Sequence, residues 1–115
     1  SQWTKAAQYQ IAIADSKRST DAGYDQRITQ AAVNEFEEFV ETYPDAELSQ
    51  EAKEEIQKLR KKEAENNFMI AKFYEKQKKY SAAKTYYQYV ADEYKNTELA
   101  SQALRKIQEL SQYTE

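Results

Sequence analysis

The sequence predicts an all-α protein built as an array of stacked helix pairs. Three observations predict it. The 115 residues contain one glycine, Gly23, and one proline, Pro44, whereas a sheet protein needs turn residues every few positions. Ala, Gln, Glu and Lys, all good helix formers, dominate the chain. Residues 26–59 also recur at residues 77–110, an offset of 51. Leu, Ile, Val and Phe number only 18, but 16 Ala and 10 Tyr fill the remaining apolar positions. Small residues facing large aromatics let helices approach closely.

Five helices follow, over residues 2–18, 25–43, 47–78, 81–94 and 97–112. In the first, Trp3, Ala6, Ala7, Ile11 and Ala14 stand at helical spacing and are expected to be its packing stripe. Ser19 to Tyr24 reads as a loop, and Asp25 as the cap of the second helix. Ile28, Ala32, Val33, Phe36, Phe39 and Val40 form a strong amphipathic stripe on that helix. Pro44 ends it, because it lacks an N–H and disfavours helix at Tyr43. The third helix meets no breaker, and Asn66-Asn67 is a place where it could kink. Ser81 is expected to cap the fourth. The fifth carries Leu99, Ala103, Leu104, Ile107 and Leu110.

The recurrence sets the architecture. Ala31-Ala32 matches Ala82-Ala83, Tyr43 matches Tyr94, Ala52 matches Ala103, Ile56 matches Ile107 and Leu59 matches Leu110. Phe36 falls opposite Tyr87, and Phe39 opposite Val90. Each unit is a helix, a turn and a helix, and neither buries its apolar face without a neighbour.

The residues Ile70-Ala71-x-x-Tyr74, followed by Tyr80, Ala83, Tyr87 and Val90, resemble a tetratricopeptide repeat. Ala32-x-x-x-Phe36-x-x-Phe39, closed by Pro44, repeats the second-helix half, and Ile11-Ala12 supplies its first helix. The resemblance implies a tetratricopeptide-like α–α superhelix over residues 1–115. A narrower resemblance rests on order and spacing: Asp25-Gln26, Ala32, Phe36, Phe39, Tyr43-Pro44, the long helix ending Ala71-x-Phe73-Tyr74, then Tyr80-x-Ala82-Ala83, Val90, Tyr94 and Thr97. That order is similar to the BamD (ComL/YfiO-type) lipoproteins. It implies a non-catalytic scaffold on the periplasmic face of the outer membrane. Its partner would be the barrel-forming subunit of the outer-membrane assembly machinery, and its lipid anchor would lie outside this segment. Ser1 is not a natural start and the sequence given holds no signal peptide, so it is expected to be an excised piece of a longer chain, and the resemblance implies that it is the C-terminal part of such a lipoprotein. The sequence departs from that family's pattern at Glu63-Ala64-x-x-Asn67, at Tyr86, where Arg is common, and at Lys95, in place of a second Pro.

The residues themselves exclude several chemistries. No His or Cys is present, which removes the commonest general base, the thiol nucleophile and the usual zinc ligands. Gly23 stands alone, so no glycine-rich loop cradles a phosphate. With 17 basic and 20 acidic residues and a net charge of -3, nothing indicates nucleic acid or an anionic membrane surface as a partner, and membrane contact is expected only through a lipid anchor outside this segment. No catalytic residue, cofactor, metal or small-molecule substrate is expected. Glu35, Glu37, Glu38 and Glu41 read as a solvated helix face, and the basic run from Lys58 to Lys62 as charges paired within its helix.

Protein contact is the remaining function. Tyr86 and Tyr89 flank Tyr87 and cannot all point inward, so they are candidate anchors, with Arg105 on the fifth helix. First-helix positions of such arrays line the concave face, which nominates Phe68, Lys72 and Glu75, with Tyr9 at the place equivalent to Phe68. The alternatives are a generic adaptor for a peptide or protein of another pathway, or a segment that only caps a larger array.

Overall fold

The computed structural model of the chain describes residues 2–21 and 25–113. They form five helices, α1 (Gln2–Asp21), α2 (Gln26–Thr42), α3 (Glu47–Lys76), α4 (Tyr80–Glu93) and α5 (Glu98–Leu110), and no strand occurs among the described residues. The all-α repeat architecture expected from composition and recurrence is therefore what the chain adopts. It divides into two compact units, residues 1–60 and 61–115.

In the first unit, Asp25 caps α2 by accepting a hydrogen bond from the Arg27 N–H at 2.9 Å. That bond holds its carboxyl below the ordinary value. Thr29, Ala32, Val33, Phe36 and Phe39 turn one face of α2 inward. Tyr9 and Ala12 of α1 and Ala52 and Leu59 of α3 meet them. Burying each of the two Phe rings contributes roughly 1.5–3 kcal/mol, and the fully buried Ala12, Ala32 and Ala52 leave room for them.

Two expectations for α1 are corrected here. The helix runs on through Ser19 to Asp21 rather than stopping at Arg18. Ser19 is fully buried, and its hydroxyl shares a 2.5 Å hydrogen bond with Thr29 of α2, which ties that extra turn down. The remainder of the expected loop, residues 22–24, lies outside the described residues. Second, the stripe Trp3, Ala6, Ala7, Ile11 and Ala14 faces outward: Trp3 is 88% and Ile11 56% exposed. Tyr9 and Ala12 turn inward instead, because the Tyr9 ring meets Phe36 and Phe39 edge-on, a geometry favoured by the aromatic quadrupole.

In the second unit, Tyr87 and Val90 of α4 pack with Ala64 and Ala71 of α3 and Ala103 and Leu110 of α5. The recurrence extends to the backbone. The Tyr43 and Tyr94 N–H groups bond the Phe39 and Val90 carbonyls, and both residues leave the helix with φ near -126°: -127° and -125°. Ala46 N–H then bonds Tyr43 O as Thr97 N–H bonds Tyr94 O, and Ser49 N–H bonds Ala46 O as Ala100 N–H bonds Thr97 O. A hydroxyl also covers the same carbonyl in each turn, from Ser49 onto Tyr43 and from Thr97 onto Tyr94.

α3 is one uninterrupted helix through Asn66-Asn67, where the Asn67 amide donates to the Glu63 carbonyl at 2.9 Å. It ends at Lys76 rather than Lys78. Lys79 N–H bonds Tyr74 O and Lys78 N–H bonds Glu75 O, with Lys78 at φ 60°. This pairing is a Schellman closure, normally built on Gly. It delivers the chain so that Lys79 O accepts from Ala83 N–H, making Lys79 the N-cap of α4. Ser81, the expected cap, is already inside the helix. α5 starts at Glu98 and ends at Leu110; beyond it Tyr113 stacks on Tyr80 at 4.6 Å.

Candidate partner-binding surface

The aromatics nominated as anchors divide by what their helices do with them. Tyr9 is a core residue: its rings contacts lie at 5.9 Å to Phe36 and 5.4 Å to Phe39, and its hydroxyl donates to Glu51 at 3.4 Å. Burial, then the Glu51 charge, raises its phenol above the ordinary value. Phe68 occupies the equivalent place in the second unit and does the same thing, meeting Tyr87 edge-on at 5.1 Å. The expected pair of aromatics lining an open face is thus corrected. Both rings turn into their own cores because each fills the space beside a fully buried Phe36 or Tyr87.

Glu75 is likewise engaged within the fold. Its carboxylate accepts the Tyr87 hydroxyl at 2.7 Å and the Lys106 ammonium at 3.3 Å, joining α3, α4 and α5. Burial, followed by the Glu75 contact, holds the Tyr87 phenol far above its ordinary value, so it remains a donor. Position 36, which matches Tyr87, carries Phe and no such network. Sequence reasoning missed this linkage because 31 residues separate Glu75 from Lys106.

The remaining candidates reach solvent. Tyr86 lies half-buried with its ring stacked on Tyr74 at 5.7 Å. Tyr89 is 41% exposed and touches Tyr94 edge-on. Lys72 and Arg105 are exposed, and neither makes an ion pair among the described residues. Leu104 beside Arg105 is a residue the sequence reading placed in the α5 stripe, yet it is 54% exposed. Ala103 takes the inward position, and one step along a helix turns the next side chain by about 100°. Arg and Tyr are enriched among the residues that anchor interfaces, which favours Arg105 and Tyr89, and Leu104 adds exposed apolar surface beside Arg105.

The acidic face of α2 is mostly solvated, as its pattern predicts: Glu37, Glu38 and Glu41 are exposed. Glu35 differs. Its Oε2 is buried without a hydrogen-bond partner. Burial, then Asp15 and Glu38, pushes its pKa up to about 7, against a smaller opposing effect of Arg18. A pocket of about 210 Å³ beside it is lined by Gln8, Ile11, Glu35, Glu38 and Phe39. The perturbation has a structural cause, burial of the carboxyl first and then its packing against Asp15 across α1 and α2. No cluster of three or more metal-ligating side chains occurs among the described residues, and no helix of theirs is long and apolar enough to cross a membrane.

Comparison with protein families gives a match between residues 2–114 and the model of YfiO, described as an outer membrane lipoprotein. A comparison with curated proteins returns no match.

Proposed function

Since the chain belongs to the YfiO family of outer membrane lipoproteins, we propose that it is a non-catalytic docking scaffold in outer-membrane protein assembly, equivalent to BamD. In this proposal it is the C-terminal part of a lipid-anchored protein at the periplasmic face of the outer membrane. Its partner there is the barrel-forming subunit of the assembly machinery. The family match over nearly the whole chain carries the proposal. Supporting it, the cores are closed by Ala–aromatic packing and by the Glu75 network, so the helices present fixed surfaces. Rigid presentation lets a few anchors supply affinity without ordering cost.

Tyr89, Leu104 and Arg105 are the anchors we assign to the partner; Tyr9, Phe68 and Glu75 serve the fold. The assignment is tested with a photoreactive amino acid placed at position 89, 104 or 105 in cells. Cross-links to the barrel-forming subunit from these positions, with none from a probe at exposed Glu37, are expected. Cross-linking from Glu37 alone, or from no position in a folded protein, would overturn it.

A further inference from the structure

The outward face of α3 in the second unit combines two features that its core does not use. Met69 is 69% and Phe73 58% exposed, one helical turn apart. Lys72 and Lys76 stand beside them at i+3 and i+7 from Met69, so all four side chains share one face. Lys78 and Lys79 follow in the turn, and both are exposed. Among the described residues none of these four lysines makes an ion pair. Glu65 is the one exposed carboxylate on the same face, a turn before Met69. Glu75 is held by Tyr87 and Lys106.

The lysines lie where the negative C-terminal end of α3 meets the positive N-terminal end of α4, so the two helix dipoles offset and the local charge is that of the lysines themselves. The charge is also unevenly divided. Residues 61–115 hold ten Lys and Arg against eight Asp and Glu, whereas residues 1–60 hold seven against twelve. Such asymmetry in an otherwise acidic chain marks an anion-facing half.

From these observations we infer that the Met69–Lys76 face of α3, with the Lys78-Lys79 turn, is a contact surface for an anionic phospholipid bilayer. Charge complementarity selects an anionic occupant. The lysine stems let each ammonium reach a headgroup while Phe73 and Met69 enter the acyl boundary between them. Membership of an outer membrane lipoprotein family selects the bilayer over a soluble acidic partner, because a tethered protein meets a bilayer at high effective concentration. The contact orients the scaffold on the membrane, and at low salt its four lysines hold the chain to an anionic bilayer without a tether. It rests on the family and not on the proposed protein partner.

Sedimentation of the chain with phosphatidylglycerol vesicles tests it, with phosphatidylcholine vesicles as the neutral control. Binding to the anionic vesicles at low salt is expected, with release as salt rises and no binding to the neutral ones. Each lysine near an anionic surface is worth roughly fivefold in partitioning, so the double variant Lys76→Gln, Lys79→Gln should bind about 25-fold less. Phe73→Ser should weaken binding without changing its salt dependence. All three positions are exposed, so the variants should keep the parent's helix content. Failure to bind phosphatidylglycerol, equal binding to phosphatidylcholine, or full binding by the double variant would overturn the inference. So would binding of polyglutamate through the same lysines with no vesicle binding, which would make the face a dock for an acidic protein. The assay contains no second protein, so its failure leaves the docking proposal standing.

Discussion

Replacing Tyr87 by Phe removes one oxygen from the centre of the second unit and nothing else. The ring is fully buried and keeps its edge contact with Phe68. What disappears is a 2.7 Å hydrogen bond to the Glu75 carboxylate. Hydrogen bonds to charged groups contribute about 1.5–3 kcal/mol, and the cost rises when the remaining partner is buried and orphaned. Glu75 keeps Lys106 at 3.3 Å, and its side chain is 28% exposed to water. The expected loss therefore lies at the low end, about 1.5 kcal/mol. Phe36 already fills the matching place in the first unit without a hydroxyl, so the packing itself tolerates the change. Urea titration followed by circular dichroism should show a lower midpoint with an unchanged slope, and a melting temperature lower by about 6 °C. Tyr87→Ala, which also opens a cavity, should cost about 3–5 kcal/mol. A Tyr87→Phe protein as stable as its parent would refute the argument that the Glu75 network holds the three helices together.

Three further outcomes follow from the same structure. Glu35 has a folded-state pKa of about 7, above its ordinary value. Its contribution is therefore complete below the ordinary carboxylate range and is lost as pH rises through about 7. After allowing for solvent screening, the unfolding free energy from urea titration should fall by about 1 kcal/mol between mildly acidic and mildly alkaline pH, and Glu35→Gln should flatten that dependence. Lys78 holds a left-handed conformation at φ 60°; Lys78→Gly should stabilise the chain by about 1 kcal/mol in thermal melts. Ala83 is fully buried where α4 crosses its neighbours, so Ala83→Leu should destabilise by about 1–3 kcal/mol in urea titration.

Much of the fold was legible because its signals were strong and local. Asp25, the stripe from Ile28 to Val40 and Pro44 each mark one event in α2, and all three agree. The offset of 51 was legible because matching positions must fill matching spaces; even the turn hydrogen bonds after Tyr43 and Tyr94 coincide. α1 was misread because it offers two faces of similar apolarity. Trp3, Ala7 and Ile11 outweigh Tyr9 and Ala12 in hydropathy, but the geometry of Phe36 and Phe39 decides which face fits. The same limit applies to Leu104, where a one-residue difference in register separates a core position from an exposed one. The Ser19–Thr29 bond, the Lys78 closure and the Glu75 network were not legible. Each depends on where separate side chains or dihedrals arrive after packing. Among the site candidates, Tyr89 and Arg105 keep the exposure an anchor needs, while Tyr9, Phe68 and Glu75 are explained by their own cores.

The docking role is tested most directly by calorimetric titration of the chain with the periplasmic domains of the barrel-forming subunit from the same organism. Saturable binding is expected, weakened by more than about 1 kcal/mol by Arg105→Ala, as truncation of an interface anchor does, and also weakened by Leu104→Asp, which puts a charge on the same surface. A folded chain that gives no binding heat across temperatures, or binding that both substitutions leave unchanged, would contradict it.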